Sequence, residues 1–319
     1  MLPVTLARNA MATRFEIVLH GENPVALRGA GEEALDEIER LEARLSLYRP
    51  SSEIAHVNAR AAREPVRVTP GLFALLQHAQ KLHHESQGAF DITIAPLVRC
   101  WGFMGGSGQL PQPEAVTEAR SKVGMGLVQL DPESFSVRFV REGVMLDLGA
   151  IGKGFAIERA TEILRDAGVA TALLHGGTST VQALGHPPGA EAWTIALERP
   201  PAVPGAVPKL LATVPLRDEA MSVSASWGKF FRAEGKTFGH VLDPRTGQPA
   251  DQAVMAVVVL PSATETDALS TALLTLGTAG HDTIARLRPG MKTLVMTEAG
   301  PSGRVEAKGI LVDGWMNDV

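Results

Sequence analysis

The sequence predicts an α+β protein with mixed sheets and helices. Stretches with apolar residues three or four apart are interspersed with short runs that alternate or are wholly apolar. The strict strand–helix alternation of a doubly wound sheet is missing. Glycine and proline are frequent, at 32 and 21, and punctuate the chain with turns. At 319 residues the chain exceeds the ~250–300 residues at which a single core usually stops growing. One large domain spanning residues 1–319 and two fused, intertwined lobes both fit that length.

Taken in order, Phe15, Ile17 and Leu19 alternate over Thr13 to His20 and predict a strand, which Gly21 to Pro24 breaks. Leu35, Ile38, Leu41 and Leu45 give helical spacing over Val25 to Leu45. Further helices are expected from Gly71 to Ser86 and from Pro113 to Val123. Strands are expected at Leu127–Leu130, Ser136–Val140 and Val144–Leu148. A helix then opens after Gly149-Ala-Ile-Gly-Lys-Gly154 and stops at Gly168. Strands follow at Ala170–Leu174, Val181–Leu184 and Trp193–Leu197, then a proline-rich surface loop over Arg199 to Pro208. Further short strands are expected at Lys209–Pro215, Met221–Ser224 and Thr237–Leu242. Val254 to Leu260 is the most apolar strand. A helix from Thr264 to Leu276, capped by Thr264 or Thr266, and another from His281 to Leu287 precede strands at Lys292–Thr297 and Arg304–Leu311.

Composition excludes several classes. Hydrophobic residues make up 45% and charged residues 20%, with a net charge of −5. That is an ordinary soluble balance, without the basic footprint of a nucleic-acid binder. The lone Cys100 cannot form an internal disulfide and is expected as a small buried hydrophobe. No window approaches the ~18 apolar residues of a membrane span. The first residues lack a basic n-region followed by an apolar run, so a cytoplasmic location is expected.

Several segments carry candidate chemistry. In Asp147-Leu-Gly-Ala-Ile-Gly-Lys-Gly154 a strand ends in an acid and a glycine-rich turn opens a helix. Backbone N–H groups at such a helix start suit a phosphate, and Lys153 adds a point charge. The pattern is neither a Walker loop nor GxGxxG, and it also fits a plain tight connection. Asp267 and Thr271 lie four apart at a helix start, so a carboxylate and a hydroxyl share one face. The pair suits Mg²⁺, but taken alone it fits better a first-turn acid favoured by the helix dipole and a threonine folded back on its own helix carbonyl. His240 precedes the turn Asp243-Pro-Arg-Thr-Gly247 and could act as a general base or be an ordinary packed histidine. Ala89-Phe90-Asp91 together with Trp101 and Phe103 joins aromatics to a carboxylate, for a planar ligand or a core. Tyr48 is the single tyrosine.

The order of these segments is more specific than any one of them. Met11-Ala-Thr13, Leu47-Tyr-Arg-Pro-Ser-Ser-Glu-Ile…Asn58, Gly88-Ala-Phe-Asp-Ile-Thr…Trp101-Gly-Phe, Asp147-Leu-Gly-Ala-Ile-Gly-Lys-Gly, His240-Val-Leu-Asp-Pro-Arg-Thr-Gly and Thr266-Asp-Ala-Leu-Ser-Thr-Ala resemble the ordered motifs of the ApbE family, the FAD:protein FMN transferases. The resemblance covers nearly the whole chain. It implies two α+β lobes with FAD in a cleft, contacted by Met11, Tyr48, Ala89, Phe90, Asp91, Asp147, Lys153, His240 and Val241. It implies Mg²⁺ on Asp267, Thr271 and the carbonyl of Ala150, with His240 as the base. The reaction implied is Mg²⁺-dependent transfer of the FMN half of FAD to a threonine of an acceptor flavoprotein, with release of AMP.

Two positions depart from the family pattern. Thr178 follows Gly176-Gly177 where relatives usually carry an acid, and Ala225 follows Ser224 where many carry glycine. Relatives exported as lipoproteins carry a lipobox cysteine that has no counterpart here, which points to a cytoplasmic acceptor. Water in place of threonine would make the chain an FAD pyrophosphatase yielding FMN and AMP, and a non-catalytic flavin carrier is the third possibility.

Overall fold

The computed structural model describes residues 3–200, 207, 209–298 and 303–312. In chain order it runs β1 (Val4–Ala10), β2 (Thr13–His20), α1 (Pro24–Leu45), α2 (Glu53–Arg60), β3 (Val66–Arg67), α3 (Pro70–Glu85), α4 (Ala95–Cys100) and α5 (Pro113–Arg120). Next come β4 (Val128–Asp131), β5 (Ser136–Phe139), α6 (Gly152–Asp166), β6 (Thr171–Gly176), β7 (Thr180–Leu184), β8 (Trp193–Arg199), β9 (Lys209–Leu216) and β10 (Ala220–Ala225). The chain continues through β11 (Phe230–Ala233), β12 (Lys236–Gly239), β13 (Met255–Leu260), α7 (Ala263–Leu276), α8 (His281–Ala285), β14 (Lys292–Met296) and β15 (Val305–Lys308). The architecture is α+β, as the pattern of the sequence predicts.

The chain divides into two compact units. The first holds residues up to Arg40, Lys153–Ser224 and those from Gln252 onward. Its frame is an eight-stranded sheet in the order β1-β2-β6-β7-β10-β13-β14-β15. β13 (Met-Ala-Val-Val-Val-Leu) is buried at every position because both faces are covered. Met255, Val257 and Val259 join a core with Leu294 and Met296 of β14 and with Leu197, Leu211 and Val214 of the β8–β9 hairpin. Helix α7, buried on nearly every side, packs against β13 and β7. Strand β1 was not anticipated, because Arg8 interrupts the apolar alternation of Val4, Leu6 and Ala10. Arg8 is held by Glu32, Asp36 and Glu39 of α1, which neutralise it where it leaves the sheet.

The second unit holds Leu41–Gly152 and Ala225–Asp251. Its core packs Leu97, Trp101, Phe103, Val116, Ala119 and Leu242, with Phe231 and Phe238 of the β11–β12 hairpin against them. Trp101 Nε1 donates to the Gly247 carbonyl at 2.8 Å, so the Trp101–Phe103 aromatics serve a core. Cys100 is half-buried at the edge of this cluster rather than fully enclosed.

Three expectations need correction. Val144–Leu148 forms no strand. The Asn58 side chain brackets Leu146 instead, donating to its carbonyl at 2.9 Å and accepting from its N–H at 2.7 Å, while Asp147 N–H donates to Ile92. The strand before Asp243 ends at Gly239, which leaves His240 outside it. Helix α7 is capped by Ser262, whose hydroxyl accepts from Glu265 N–H, and not by Thr264 or Thr266. The pattern missed Ser262 because it lies before the first apolar residue of the helix. The proline-rich stretch after Arg199 falls largely outside the described residues.

The β1–β2 turn is unusual. Ala10 pairs with Thr13, so Met11 and Ala12 alone make the connection. Both have positive φ, 48° and 57°. Asn-Gly or Gly-Gly normally fills such a turn, because a Cβ in the left-handed region costs about 1–2 kcal/mol. Replacing Met11-Ala12 by Asn-Gly should therefore stabilise the first unit by about 1–3 kcal/mol, read as a raised midpoint in urea unfolding. An unchanged or lowered midpoint would show that the turn stores no strain.

Candidate active site

The densest polar constellation lies where α6 and α7 begin side by side. Gly154, in the first turn of α6, donates its N–H to Asp267 Oδ2 at 2.9 Å. A Cβ at Gly154 would sit 2.1 Å from the Ala263 carbonyl oxygen and 2.7 Å from Asp267 Cβ. Only glycine permits this approach. Lys153 Nζ stands 3.9 Å from Asp267 Oδ1, and Asp267 is 4% exposed. A carboxylate this buried needs charge and hydrogen-bond compensation, and the helix start and Lys153 supply both. Glu158 ties the two helices further, accepting from Ser262 Oγ at 2.7 Å and from Thr264 N–H at 2.8 Å.

Hydroxyls extend from the main chain of Asp267 into the sheet. Ser270 and Thr271 both donate to the Asp267 carbonyl, at 3.0 and 3.2 Å. Ser224 Oγ lies 2.9 Å from Ser270 Oγ and 3.2 Å from Thr271 Oγ1. Because Ser270 and Thr271 spend their hydrogens on Asp267, Ser224 has one hydrogen for two acceptors. A lone pair on Thr271 therefore remains available. Ser222, two residues earlier on β10, reaches Thr266 Oγ1 at 2.8 Å and Thr180 Oγ1 at 3.1 Å.

A second group sits at hairpin tips of the same unit. Gly176 pairs with Thr180, so Gly177, Thr178 and Ser179 turn between β6 and β7. Gly177 has φ +60°, and a Cβ there would meet Thr13 Oγ1 at 2.4 Å. Its N–H donates to the Arg14 carbonyl, which brings this turn beside the strained Met11-Ala12 turn. Thr178 is exposed at the tip. Ala225 ends β10 and is not among the residues with positive φ, so the backbone there does not require glycine.

In the second unit, Tyr48 is 65% exposed. Partial burial and then the nearby Asp147 carboxylate raise its phenol above the ordinary value. Asp147 Oδ1 accepts from Gly149 N–H at 2.8 Å, at the head of the turn that carries Ala150. Ala89 and Phe90 are buried. Asp91 Oδ1 accepts from the N–H and hydroxyl of Thr93. Its Oδ2 lies 3.1 Å from His83 Nδ1, but that ring nitrogen is aligned on the Phe90 carbonyl at 3.0 Å, so Oδ2 stays buried without a well-directed hydrogen bond. Burial pulls the His83 pKa down, and Asp91 and the Phe90 carbonyl more than offset it, leaving it raised. His83, Asp91, Arg120 and Arg245 line a cleft of about 530 Å³.

His240 follows β12, with Nδ1 3.1 Å from the Lys229 carbonyl. The Lys229 N–H also points at Nδ1, at 3.4 Å. The shorter contact favours a proton on Nδ1, which places the basic lone pair on Nε2. A Cβ on Gly228 would come within 3.3 Å of His240 Cε1, so this strand end fits closely around the ring. Val241 is half-buried, and its carbonyl accepts from Ala250 N–H.

The motifs that fold into these clusters match a known family across residues 11–295. The chain belongs to the ApbE family. It is 31% identical to the FAD:protein FMN transferase of Treponema pallidum over 96% of this chain and 87% of the relative. It resembles the ApbE protein of Thermotoga maritima (27% identity, TM-score 0.81, covering 92% of this chain and 94% of the other). It also resembles the flavinyl transferase ApbE of Pseudomonas stutzeri (26% identity, TM-score 0.82, covering 96% and 95%).

The ApbE motifs map onto the structure unevenly. Lys153, Asp267 and Thr271 come together in one unit, and Tyr48 and Asp147 lie within electrostatic reach in the other. Asn58, Ser224 and His83 have positioning roles that sequence reading missed. Among the described residues no group of three or more His, Cys, Asp or Glu is placed to hold a metal ion. The local donors at Asp267 and Thr271 are all oxygen, and these two residues fit Mg²⁺ in chemistry.

The contact at Gly154 gives a sign test. Alanine in a helix normally improves stability by about 1 kcal/mol over glycine. Here Gly154→Ala should instead cost about 2 kcal/mol or more, because the Cβ overlaps backbone. Urea denaturation that showed a stabilised variant would mean the two helix starts are not in contact.

Proposed function

We propose that this chain is a Mg²⁺-dependent FAD:protein FMN transferase that moves FMN from FAD to a threonine of an acceptor flavoprotein and releases AMP. The observation that carries this reading is the helix start at Lys153-Gly154 set against the buried Asp267 and the half-buried Thr271, in a chain of the ApbE family. The positive end of the helix dipole together with the Lys153 ammonium suits the pyrophosphate of FAD. A carboxylate and a hydroxyl on one face suit the ion that accompanies it.

In this reading Met11, Tyr48, Ala89, Phe90, Asp91, Asp147, Lys153, His240 and Val241 contact FAD. Asp267, Thr271 and the Ala150 carbonyl hold Mg²⁺, which when bound supplies charge neutralisation for the pyrophosphate. The strained Met11-Ala12 turn supports a binding role, since such backbone strain concentrates at ligand sites. A threonine hydroxyl is a weak nucleophile and needs a base. His240 Nε2 takes the hydroxyl proton, and the threonine oxygen bonds to the FMN-side phosphorus. The bond from that phosphorus to the bridging oxygen breaks, and AMP departs with the bridging oxygen. Lys153 stabilises the phosphate charge throughout, because such transfer relies on positioning and electrostatics.

A second reading, hydrolysis of FAD to FMN and AMP, is favoured by one observation. Thr178 stands at an exposed tip where relatives usually carry an acid. Incubation with FAD, Mg²⁺ and a candidate acceptor separates the two. Flavin fluorescence that stays with the acceptor after denaturation means transfer, and free FMN means hydrolysis.

His240→Ala should lower transfer by about 10²–10⁴-fold while FAD titration by fluorescence quenching stays near wild type. Wild-type turnover with weakened FAD binding would make His240 a binding residue. Asp267→Ala should abolish turnover at any Mg²⁺ concentration, and unchanged activity across a Mg²⁺ titration would exclude Asp267 as a ligand.

A further inference from the structure

The β11–β12 hairpin has two unlike faces. Phe231 and Phe238 stack with ring centroids 5.1 Å apart and lean on Trp101 and Phe103, anchoring the inner face. Outward lie Phe230, 46% exposed, and Trp227 just before the strand, 42% exposed. Phe230 is paired across the hairpin with Gly239, which offers no side chain to cover it. Arg232 and Lys236 are exposed on the hairpin and Lys229 just before it, with Glu234 the single acid from 226 to 239. Among the described residues none of these three cations meets an acidic partner. The segment is thus locally basic and aromatic in a chain of net charge −5.

The same segment holds the histidine. Lys229 contributes the carbonyl beside His240 Nδ1, and Gly228 packs on the ring. The bond from His240 N–H to the Lys229 carbonyl makes Phe230/Gly239 and Arg232/Thr237 the wide pairs of the ladder. The peptide groups of Thr237 and Gly239 therefore turn away from β11. Neither strand pairs with a third among the described residues. Such an edge is suited to an added extended strand.

We propose that the outer face and edge of this hairpin dock the acceptor, as an extended, acidic segment whose threonine is presented to His240; this rests on the transfer reaction proposed above. Trp227 and Phe230 supply apolar contact, and Arg232, on the same face of the hairpin as Phe230, selects negative charge.

The test uses the full chain with FAD and two fluorescein-labelled peptides that share a central threonine, one flanked by aspartates and one by lysines. Anisotropy should show the aspartate peptide binding about tenfold more tightly or better, with the preference shrinking as salt rises. The variant Arg232→Glu should cancel or reverse the preference. Phe230→Ala should weaken the aspartate peptide about tenfold. Both variants should keep wild-type quenching of flavin fluorescence in an FAD titration, which reports an intact fold. Equal affinity for the two peptides, or a preference unchanged in Arg232→Glu, overturns the proposal. Full competition by a thymidine oligonucleotide also overturns it, marking a general polyanion surface. Binding of the aspartate peptide without flavin appearing on it upholds the docking surface and overturns the transfer reaction instead.

Discussion

The approach of two helix starts at Gly154 and Asp267 is the contact on which the candidate site depends. The carboxylate is buried, and an isolated buried charge carries a desolvation cost of several kcal/mol. It is tolerable because a helix N-terminus donates to one oxygen and a lysine stands near the other. That arrangement requires the absence of a side chain at Gly154, since the Ala263 carbonyl occupies the space a Cβ would take. The glycine therefore permits the approach, and the approach supplies the hydrogen bond that fixes the carboxylate in place.

The sheet fixes this contact from below. β13 is buried on both faces, so α7 is seated on an unbroken apolar surface. Its polar residues point where β7 and β10 offer hydroxyls, and Ser222 and Ser224 answer Thr266, Ser270 and Thr271. Hydroxyls suit this junction because each both donates and accepts. The helix is thereby held in rotational register, and the face bearing Asp267 and Thr271 cannot turn without breaking several of these bonds.

Much of this was legible in the sequence where periodicity is strong. Helix α1 and the strands β2 and β13 follow directly from the spacing of Phe15, Ile17, Leu19 and the leucines of 35–45, or from an uninterrupted apolar run. Strand β1 was hidden because Arg8 leaves the sheet to meet acids on α1, a long-range pairing invisible to local pattern. Val144–Leu148 looks like a strand because Val144, Met145, Leu146 and Leu148 are apolar, but its hydrogen bonds go to the Asn58 side chain and to Ile92. The candidate site was legible as types and order: Asp267 and Thr271 share a helix face whatever the fold. The hydroxyl network was not, because it joins residues more than forty positions apart. The Met11-Ala12 turn also gave no signal, since neither residue is one that normally takes positive φ.

His240 illustrates how an aromatic core can serve chemistry without touching it. A histidine after a strand end gains a defined base nitrogen only if its other nitrogen is fixed. Here the fixing group is the Lys229 carbonyl, which lies just before β11 and is placed by that hairpin. A two-stranded hairpin alone is marginally stable. Phe231 and Phe238 anchor it through their stack on Trp101 and Phe103, and Trp101 is in turn tied to the Gly247 carbonyl at the end of the Asp-Pro-Arg-Thr-Gly turn. That turn is closed by Asp243, which takes two bonds from the Arg245 guanidinium and one from its N–H. The motif from His240 to Gly247 thus contains both the candidate base and the anchor for the aromatic ring that steadies it. This explains physically why the histidine and the turn occur together in one short stretch of sequence.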